Sequence, residues 1–162
     1  MKVAIIMGSK SDYDVVKKAE QLLKDFGVEV STRILSAHRT LEETLDFVQG
    51  AKEKGYEVII AAAGKAAHLP GVVAAATPLP VIGVPMKTSM MGGMDSLLSI
   101  VQMPAGIPVA TVGVDASENA ALLALRILSL KDDSLAEKYM DYVENTREKV
   151  LADDASLGGL NG

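Results

Sequence analysis

The sequence contains no cysteine, and aromatic residues make up only 4% of its 162 residues. The absence of cysteine excludes disulfides, thiolate catalysis and cysteine-based metal sites, and it fits a reducing, cytoplasmic location. Few aromatic rings and a net charge of −5 argue against stacking platforms for bases and a basic face for phosphate backbones. We therefore expect no nucleic-acid partner, and we expect any bound anion to be held by local geometry.

Long apolar runs are also missing. No segment approaches the roughly 20 apolar residues that span a bilayer, and the apolar run at the N-terminus ends at Gly8, too early for a signal peptide. The two histidines stand in no H-x-x-x-H spacing and beside no acidic cluster, which disfavours a metal site. The sequence thus predicts a protein without a membrane partner, metal or cofactor.

Four uninterrupted apolar runs indicate strands that are buried on both faces, as in a parallel sheet covered by helices. They are Val3–Met7, Val58–Ala62, Val81–Val84 and Val109–Val112. A fifth strand, Val28–Leu35, carries interspersed polar residues and is expected near an edge. Strands alternating with helices predict an α/β fold: a three-layer, doubly wound parallel sheet of the flavodoxin-like type with strand order 2-1-3-4-5.

Apolar positions at helical spacing lie between these strands. They predict helices over Asp12–Phe26, Leu41–Lys54, Met94–Gln102 and Glu118–Leu128, and a short one at Pro70. Capping boxes at Thr40 and Ser134 would begin two helices, the second being a long C-terminal helix that we expect to pack on another subunit. Residues 1–152 are predicted to form one domain that includes this helix, and residues 153–162 a disordered tail.

Ligands of such sheets bind beyond the carboxyl ends of the strands, where the strand order reverses. The first loop there offers Ser9, Ser11 and Asp12 at the start of a helix. Helix amides and hydroxyls favour a phosphate, and a carboxylate can accept hydrogen bonds from a ribose diol. The alternative interpretation is that Ser11 or Asp12 only caps the helix.

The next two loops bring Ser36, His38 and Arg39, then Ala66, Ala67 and His68. Histidine can move protons near neutral pH, and the planar arginine suits a phosphate or carboxylate. Structural histidines and a surface salt bridge of Arg39 are the alternatives. The loops match neither G-x-G-x-x-G nor a Walker motif, and no G-x-S-x-G elbow exists, which disfavours dinucleotides, nucleoside triphosphates and serine hydrolysis.

Four motifs in register give the chain a family resemblance from about Lys2 to Leu128. They are Met7-Gly8-Ser9-x-Ser11-Asp12, Ser36-Ala37-His38-Arg39-Thr40, Ala66-Ala67-His68-Leu69-Pro70-Gly71 and the ten-residue segment Asp95–Pro104. This pattern resembles the class I 5-(carboxyamino)imidazole ribonucleotide mutase (PurE) family of purine biosynthesis. The resemblance implies a rearrangement without metal or ATP, in which a carboxylate moves from the exocyclic nitrogen to a ring carbon of an aminoimidazole ribonucleotide.

By this resemblance His38 is the catalytic acid-base residue, and a phosphorylated aminoimidazole ribonucleotide is the partner. The resemblance implies that Ser9, Asp12 and Arg39 bind the nucleotide, and the predicted substrate-binding set is completed by Ser11, Ser36, Ala66, Ala67 and His68. Backbone amides at Ala66 and Ala67 would hold the migrating carboxylate, and the family is homo-octameric, which would give the C-terminal helix a partner.

Two positions depart from the family pattern, because Ala62 and Lys65 stand where glycine is usual. A side chain there can obstruct a positive φ or a close approach of the backbone. Lys65 motivates one alternative to the mutase, an inactive nucleotide-binding relative. Two others remain: a class II carboxylase acting on aminoimidazole ribonucleotide and carbon dioxide, and a noncatalytic flavin or phospho-signalling module.

Overall fold

A computed structural model describes residues 1–159, and its central feature is one five-stranded parallel sheet. The strands are β1 (Lys2–Met7), β2 (Glu29–Ile34), β3 (Val58–Ala63), β4 (Val81–Pro85) and β5 (Ala110–Thr111). Their order is β2-β1-β3-β4-β5, which confirms the predicted topology. The order reverses beside β1, so the carboxyl ends of β1 and β3 flank the crevice where ligands of such sheets bind.

The burial of each strand follows its sequence pattern. Every residue of β3 and β4 is buried, as the uninterrupted apolar runs predict, whereas β2 has none that is fully buried. In register, Ile5 of β1 lies between Thr32 of β2 and Ile60 of β3. The polar strand thus occupies the edge, where one side of its backbone has no partner strand and its side chains reach water.

Within residues 1–159, six α-helices connect or follow the strands. They are α1 (Tyr13–Asp25), α2 (Leu41–Gln49), α3 (Leu69–Ala76), α4 (Met94–Val101), α5 (Ser117–Ser129) and α6 (Asp133–Ser156). The chain divides into two compact units, residues 1–124 with the sheet and residues 125–162, and α5 begins in the first and ends in the second.

Within the first unit both faces of the sheet are covered. On one face, Ile6 and Ile59 join a buried cluster with Val48 of α2, Val73 of α3 and Ile100 of α4. Because side chains alternate along a strand, Val3, Ile5 and Met7 point to the opposite face. There α1 contributes its buried stripe, Val16, Ala19 and Leu23.

Helix α4 approaches β4 closely because Gly83 has no side chain. A Cβ at this position would lie 2.5 Å from Cγ2 of Ile100 and 2.9 Å from Cγ1 of Val109. Neither distance is compatible with an ordinary carbon contact. The glycine therefore sets how near the helix and the chain before β5 lie to the sheet.

The predicted end and the predicted cap of α2 are wrong. Helix α2 ends at Gln49, not at Lys54, because residues 50–55 form turns in which the amide of Lys54 donates to the carbonyl of Gly50 at 3.2 Å. Thr40 precedes α2 but makes no capping bond. Its hydroxyl instead accepts the amide hydrogen of Ser36 at 2.8 Å, which closes the loop after β2.

The second unit carries α6, whose start and end also differ from the prediction. Asp132, and not Ser134, is the N-cap: its carboxylate accepts from the amide of Leu135 at 2.9 Å. The helix continues through Ser156, so residues 153–156 of the expected disordered tail are helical, as a run free of Gly and Pro allows. Residues 160–162 lie outside the described residues.

The apolar side chains of α6 differ in how far they are buried. Leu135 is buried within the chain, whereas Val143 and Val150 are exposed. The stripe expected to face another subunit thus begins after the first turn of the helix. Over residues 1–159, no helix combines the length and the apolar character that crossing a membrane requires.

Candidate active site

The loops after the first three strands lie side by side because hydrogen bonding continues past the strand ends. The amide of Leu35 donates to the carbonyl of Met7 at 2.9 Å, and that of Gly8 donates to the carbonyl of Ala62 at 3.3 Å. The side chains that follow each strand therefore converge on one edge of the sheet.

The loop after β1 is organised by its own hydroxyls. Ser9 caps a short 3₁₀ helix, Lys10–Asp12: its Oγ accepts from the amide of Ser11 at 3.3 Å and lies 2.9 Å from the Ser11 hydroxyl. Asp12 precedes α1 but makes no side-chain capping bond. The side-chain cap is thus Ser9, and not Ser11 or Asp12 as the alternative interpretation had it. One oxygen of Asp12 lies beside the Ser11 hydroxyl, at 3.2 Å.

The environment of Asp12 disfavours its charged form. Partial burial, with a smaller contribution from the negative charge of Asp115, raises the pKa of Asp12 above its ordinary value. Hydrogen bonds from Ser11 and Ser9, and the positive charge of Arg39, act in the opposite direction. A ligand that donates hydrogen bonds to this carboxylate would stabilise its ionised form.

The loop after β2 is fastened to the loop after β1 by Arg39. Its Nη2 donates to the carbonyl of Gly8 at 2.6 Å, and its Nε donates to Oγ of Ser36 at 3.3 Å. No carboxylate within residues 1–159 forms a salt bridge with Arg39, so the surface salt bridge considered for it is not formed there. The guanidinium keeps its full charge and further N–H donors for an anion.

The two histidines of the chain are in direct contact at this edge of the sheet. Nε2 of His38 lies 2.7 Å from Nδ1 of His68, and the rings are nearly perpendicular, at 76°. Such a contact needs one N–H donor and one lone pair, so it holds one proton between the rings. The two imidazoles therefore form a pair through which a proton can pass, which the sequence did not reveal because 30 residues separate them.

The loop after β3 is held in place by a hydrogen bond to a buried hydroxyl. Oγ of Ser96 accepts from the amide of Lys65 at 2.9 Å. The amides of Ala67 and His68 donate to the carbonyls of Lys65 and Ala66, both at 2.8 Å. The amide of Ala66 has no partner among the described residues, so of the two amides expected to receive a carboxylate, only this one remains available.

The two departures from the family pattern have different surroundings. Ala62 is fully buried within β3 and does not line the pocket, so its methyl group leaves the site open. Lys65 is exposed, lines the pocket and adopts a positive φ of 57°. Only Lys65 therefore changes what a ligand meets.

The loops enclose a pocket of about 660 Å³, within the range of small-molecule sites. Of the nine residues predicted for the site, the pocket gathers eight, and the exception is Ala67, which is buried beneath it. The eight are Ser9, Ser11, Asp12, Ser36, His38, Arg39, Ala66 and His68. Apolar walls come from Ala63, Leu69 and Met86.

A second concavity of about 530 Å³ runs along α1 and is lined by residues such as Lys17, Glu20 and Asp25. No histidine or arginine lines it, and two of its charged side chains are paired with neighbours on α1, Lys17 with Asp14 and Glu20 with Lys24. We regard the pocket at the strand ends as the functional one, since only it combines proton-transferring groups, a free guanidinium and an apolar wall. Within residues 1–159, no three metal-ligating side chains are grouped.

Sequence analysis missed the contribution of the loop after β4. Lys87, Thr88 and Ser89 line the pocket beside Met86. The sequence feature that could have indicated them is their position directly after an apolar run that ends at the same edge of the sheet.

The fold and these loops define a doubly wound α/β protein with a site suited to a small phosphorylated ligand and to proton transfer. Residues 2–149 match the family model described as AIR carboxylase. The chain belongs to this family. The resemblance given by the four motifs is thereby confirmed.

Named relatives and a solved structure agree. The chain is 56% identical over 148 residues to the N5-carboxyaminoimidazole ribonucleotide mutase of Pyrococcus horikoshii, covering 91% of this chain and 84% of the relative. It is 52% identical over 155 residues to the chloroplastic phosphoribosylaminoimidazole carboxylase of Vigna aconitifolia, covering 96% of this chain and 28% of that protein. Treponema denticola PurE superposes with a TM-score of 0.88 at 35% identity, covering 96% of this chain and 98% of the other.

Proposed function

We propose that this chain is a mutase that converts N5-carboxyaminoimidazole ribonucleotide to 4-carboxy-5-aminoimidazole ribonucleotide in purine (IMP) biosynthesis. Relatives named as this mutase match most of the chain. The observation that carries the chemistry is the imidazole pair of His38 and His68, which lines the same pocket as Arg39 and the serines of the first loop.

The phosphate is proposed to lie between Ser9, Ser11 and Arg39. Hydroxyls and a guanidinium without a salt bridge supply donors there, and the start of α1 adds the positive end of its dipole. The ribose hydroxyls would donate to Asp12, whose carboxylate is not used as a cap. Ser36 holds Nε of Arg39 at 3.3 Å and so keeps the guanidinium in this orientation.

The transfer needs one acid-base group. The bond between the exocyclic nitrogen and the carboxylate breaks, its electron pair stays on nitrogen, and His38 gives that nitrogen a proton. The ring carbon then attacks the freed carbon dioxide, and the proton of that carbon passes to His38. Atoms and charge balance without ATP, metal or another cofactor, and His38 ends in the protonation state in which it began. His68 can accept the second ring proton of His38 or return it.

Carbon dioxide must stay beside the ring between the two steps. The apolar wall of Ala63, Leu69 and Met86 offers it no hydrogen bonds and excludes water. The unpartnered amide of Ala66 is proposed to receive the carboxylate before and after transfer. Ala67, whose amide is bonded to Lys65, would act only by supporting this loop.

The deciding experiment follows the ultraviolet absorbance of the purified protein with N5-carboxyaminoimidazole ribonucleotide, without ATP and with a chelator present. Conversion under these conditions is the expected result. A parallel reaction supplies aminoimidazole ribonucleotide and bicarbonate. The carboxylase name of the Vigna aconitifolia relative motivates this arm, and product from it alone would make the chain a carboxylase. No product from either would leave a noncatalytic nucleotide-binding protein.

A homo-octamer in the cytoplasm is proposed for the assembly and location. Exposed apolar side chains remain on α4, with Leu98 and Val101, and on α6, with Val143 and Val150, and contacts between copies would bury them. Light scattering during gel filtration should give eight times the 17.0 kDa mass of the chain. The mass of a monomer or dimer would contradict the octamer.

A further inference from the structure

Lys65 occupies an unusual backbone conformation in the wall of the pocket. Its φ of 57° lies in the left-handed region, which strains any residue other than glycine. The bond from its amide to the buried Ser96 hydroxyl, at 2.9 Å, holds it there. The loop thus places a long cationic side chain at the pocket where a glycine would be the least strained residue.

The pocket has cationic side chains on two sides: Arg39 on one, and Lys65 with Lys87, which follows β4, on the other. Arg39 stands at the end of β2 and is bonded to Gly8 of the first loop. Lys65 follows β3 on the other side of β1, and the His38–His68 contact lies between these loops. A ligand with one anionic group at each end would therefore meet a cation at each end.

The ammonium of Lys65 forms no salt bridge with another described residue. No carboxylate of residues 1–159 lies within salt-bridge distance of it. Its charge acts weakly on Asp95, whose pKa is lowered chiefly by the hydrogen bond from Thr88 and only in small part by Lys65. Asp95 is thus already satisfied by Thr88, at 2.6 Å, and Lys65 retains three donors for a ligand.

We propose that the ammonium of Lys65 binds the carboxylate that the mutase transfers, and so makes the site select carboxylated over uncarboxylated aminoimidazole ribonucleotides. This inference rests on the proposed function. The substrate has two anionic groups, the phosphate and the carboxylate, and Arg39 with the serines accounts for the first. Lys65 precedes Ala66, whose unpartnered amide is proposed to receive the same carboxylate, so ammonium and amide would act on one group.

The expected kinetic effect is on substrate binding. A cation stabilises the carboxylate in the substrate and in the product, but not the neutral carbon dioxide between them. Lys65 therefore strengthens ground-state binding, which lowers KM and leaves kcat unchanged or slightly reduced.

The test measures binding by calorimetry and needs no turnover. The probes are 4-carboxy-5-aminoimidazole ribonucleotide and 5-aminoimidazole ribonucleotide, which differ only in the carboxylate. Lys65→Asn removes the charge while keeping a residue that tolerates the left-handed conformation, and Lys65→Arg keeps the charge. Lys52→Asn, an exposed lysine outside the pocket, is the matched control.

We expect Lys65→Asn to weaken binding of the carboxylated probe by about tenfold, as for an exposed charge-assisted contact, and to leave the other probe unaffected. Lys65→Arg and Lys52→Asn should bind both as the wild type does. Lys65→Gly, which also relieves the backbone, should match Lys65→Asn.

An equal loss of affinity for both probes would show that Lys65 binds the phosphate. No loss of affinity for either probe would show that its ammonium is only solvated. Both results overturn the proposal. These failures are distinct from failure of the proposed function. The proposed function fails if the wild-type protein does not convert N5-carboxyaminoimidazole ribonucleotide in the ultraviolet assay, whatever the Lys65 variants do to binding.

Discussion

Nε2 of His38 and Nδ1 of His68 lie 2.7 Å apart, so the loops after β2 and β3 are joined by a proton-bearing contact. The remaining nitrogen of each ring is not part of this bond. A proton accepted by one imidazole therefore changes which ring donates to the other. This arrangement gives the site a proton carrier and a partner that holds its ring in place.

His38→Asn should lower kcat by about 10²- to 10⁴-fold, the usual contribution of a positioned acid-base group. Asparagine can still bond to His68 but cannot accept a proton from carbon. Binding of the product, measured by calorimetry, should change by less than about threefold, since the phosphate and ribose contacts remain. Near-normal turnover in this variant would remove His38 from its proposed role.

His68→Asn provides the comparison. It removes the ring that orients His38 but leaves the acid-base group itself, so kcat should fall less than in His38→Asn. The double variant should be no slower than His38→Asn alone, because residues that act as a unit are not additive. Additive losses would mean that the two rings act independently.

Arg39→Lys tests the planar cation. A lysine keeps the charge but cannot bond at once to Gly8, to Ser36 and to a phosphate, as the guanidinium can. We expect KM to rise by about tenfold or more, in keeping with the loss of a charge-assisted bond. Arg147→Lys, at an exposed position of α6, should leave KM unchanged. An equally small effect of both substitutions would place the phosphate elsewhere.

Much of the fold was predictable because burial dictates the strand patterns. The run at 58–62 has no polar residue and lies in β3, buried throughout, whereas the polar β2 occupies the edge. Helix ends were less predictable, because side chains that fit a capping box have other partners available. Thr40 bonds to Ser36 instead, and the carboxylate of Asp132 replaces the hydroxyl of Ser134 as the cap.

The site followed from topology together with residue type. Strand order places Ser9, His38 and His68 at one edge, and the pocket gathers them. Sequence does not encode the direction of a backbone amide, so it did not separate Ala66, whose amide is free, from the buried Ala67. Nor did it show that Ser96, 31 residues away, fixes Lys65.

Gly83→Ala should destabilise the protein, since the new Cβ would lie 2.5 Å from Ile100 and 2.9 Å from Val109. Overpacking of this kind typically costs about 1–3 kcal/mol, measurable as a lower free energy of unfolding in urea. Gly113→Ala is the control: its Cβ would meet only Ala116, at an ordinary 3.6 Å. Equal stability of the two variants would show that α4 can move away from β4 without cost.

Asp12→Asn should change how stability depends on pH. Burial raises the pKa of Asp12 above 3.8, so the folded protein favours the neutral carboxyl. That stabilisation is complete below the unfolded pKa and is lost as pH rises through the higher folded pKa. Because the substituted asparagine is neutral at every pH, the Tm of the variant relative to the wild type should be higher at about pH 7 than at about pH 3. An identical difference at both values would contradict the role of burial.

The same carboxylate gives a prediction for ligand binding. If the ribose hydroxyls donate to ionised Asp12, wild-type affinity for 4-carboxy-5-aminoimidazole ribonucleotide should weaken as pH falls through the raised pKa of this group. The phosphate of the ligand also gains a proton, with a pKa near 6, but it does so equally with both proteins. The ratio of wild-type to Asp12→Asn affinity therefore isolates Asp12, and it should shrink towards one in acid. A ratio that stays constant with pH would mean that the ribose binds through other groups.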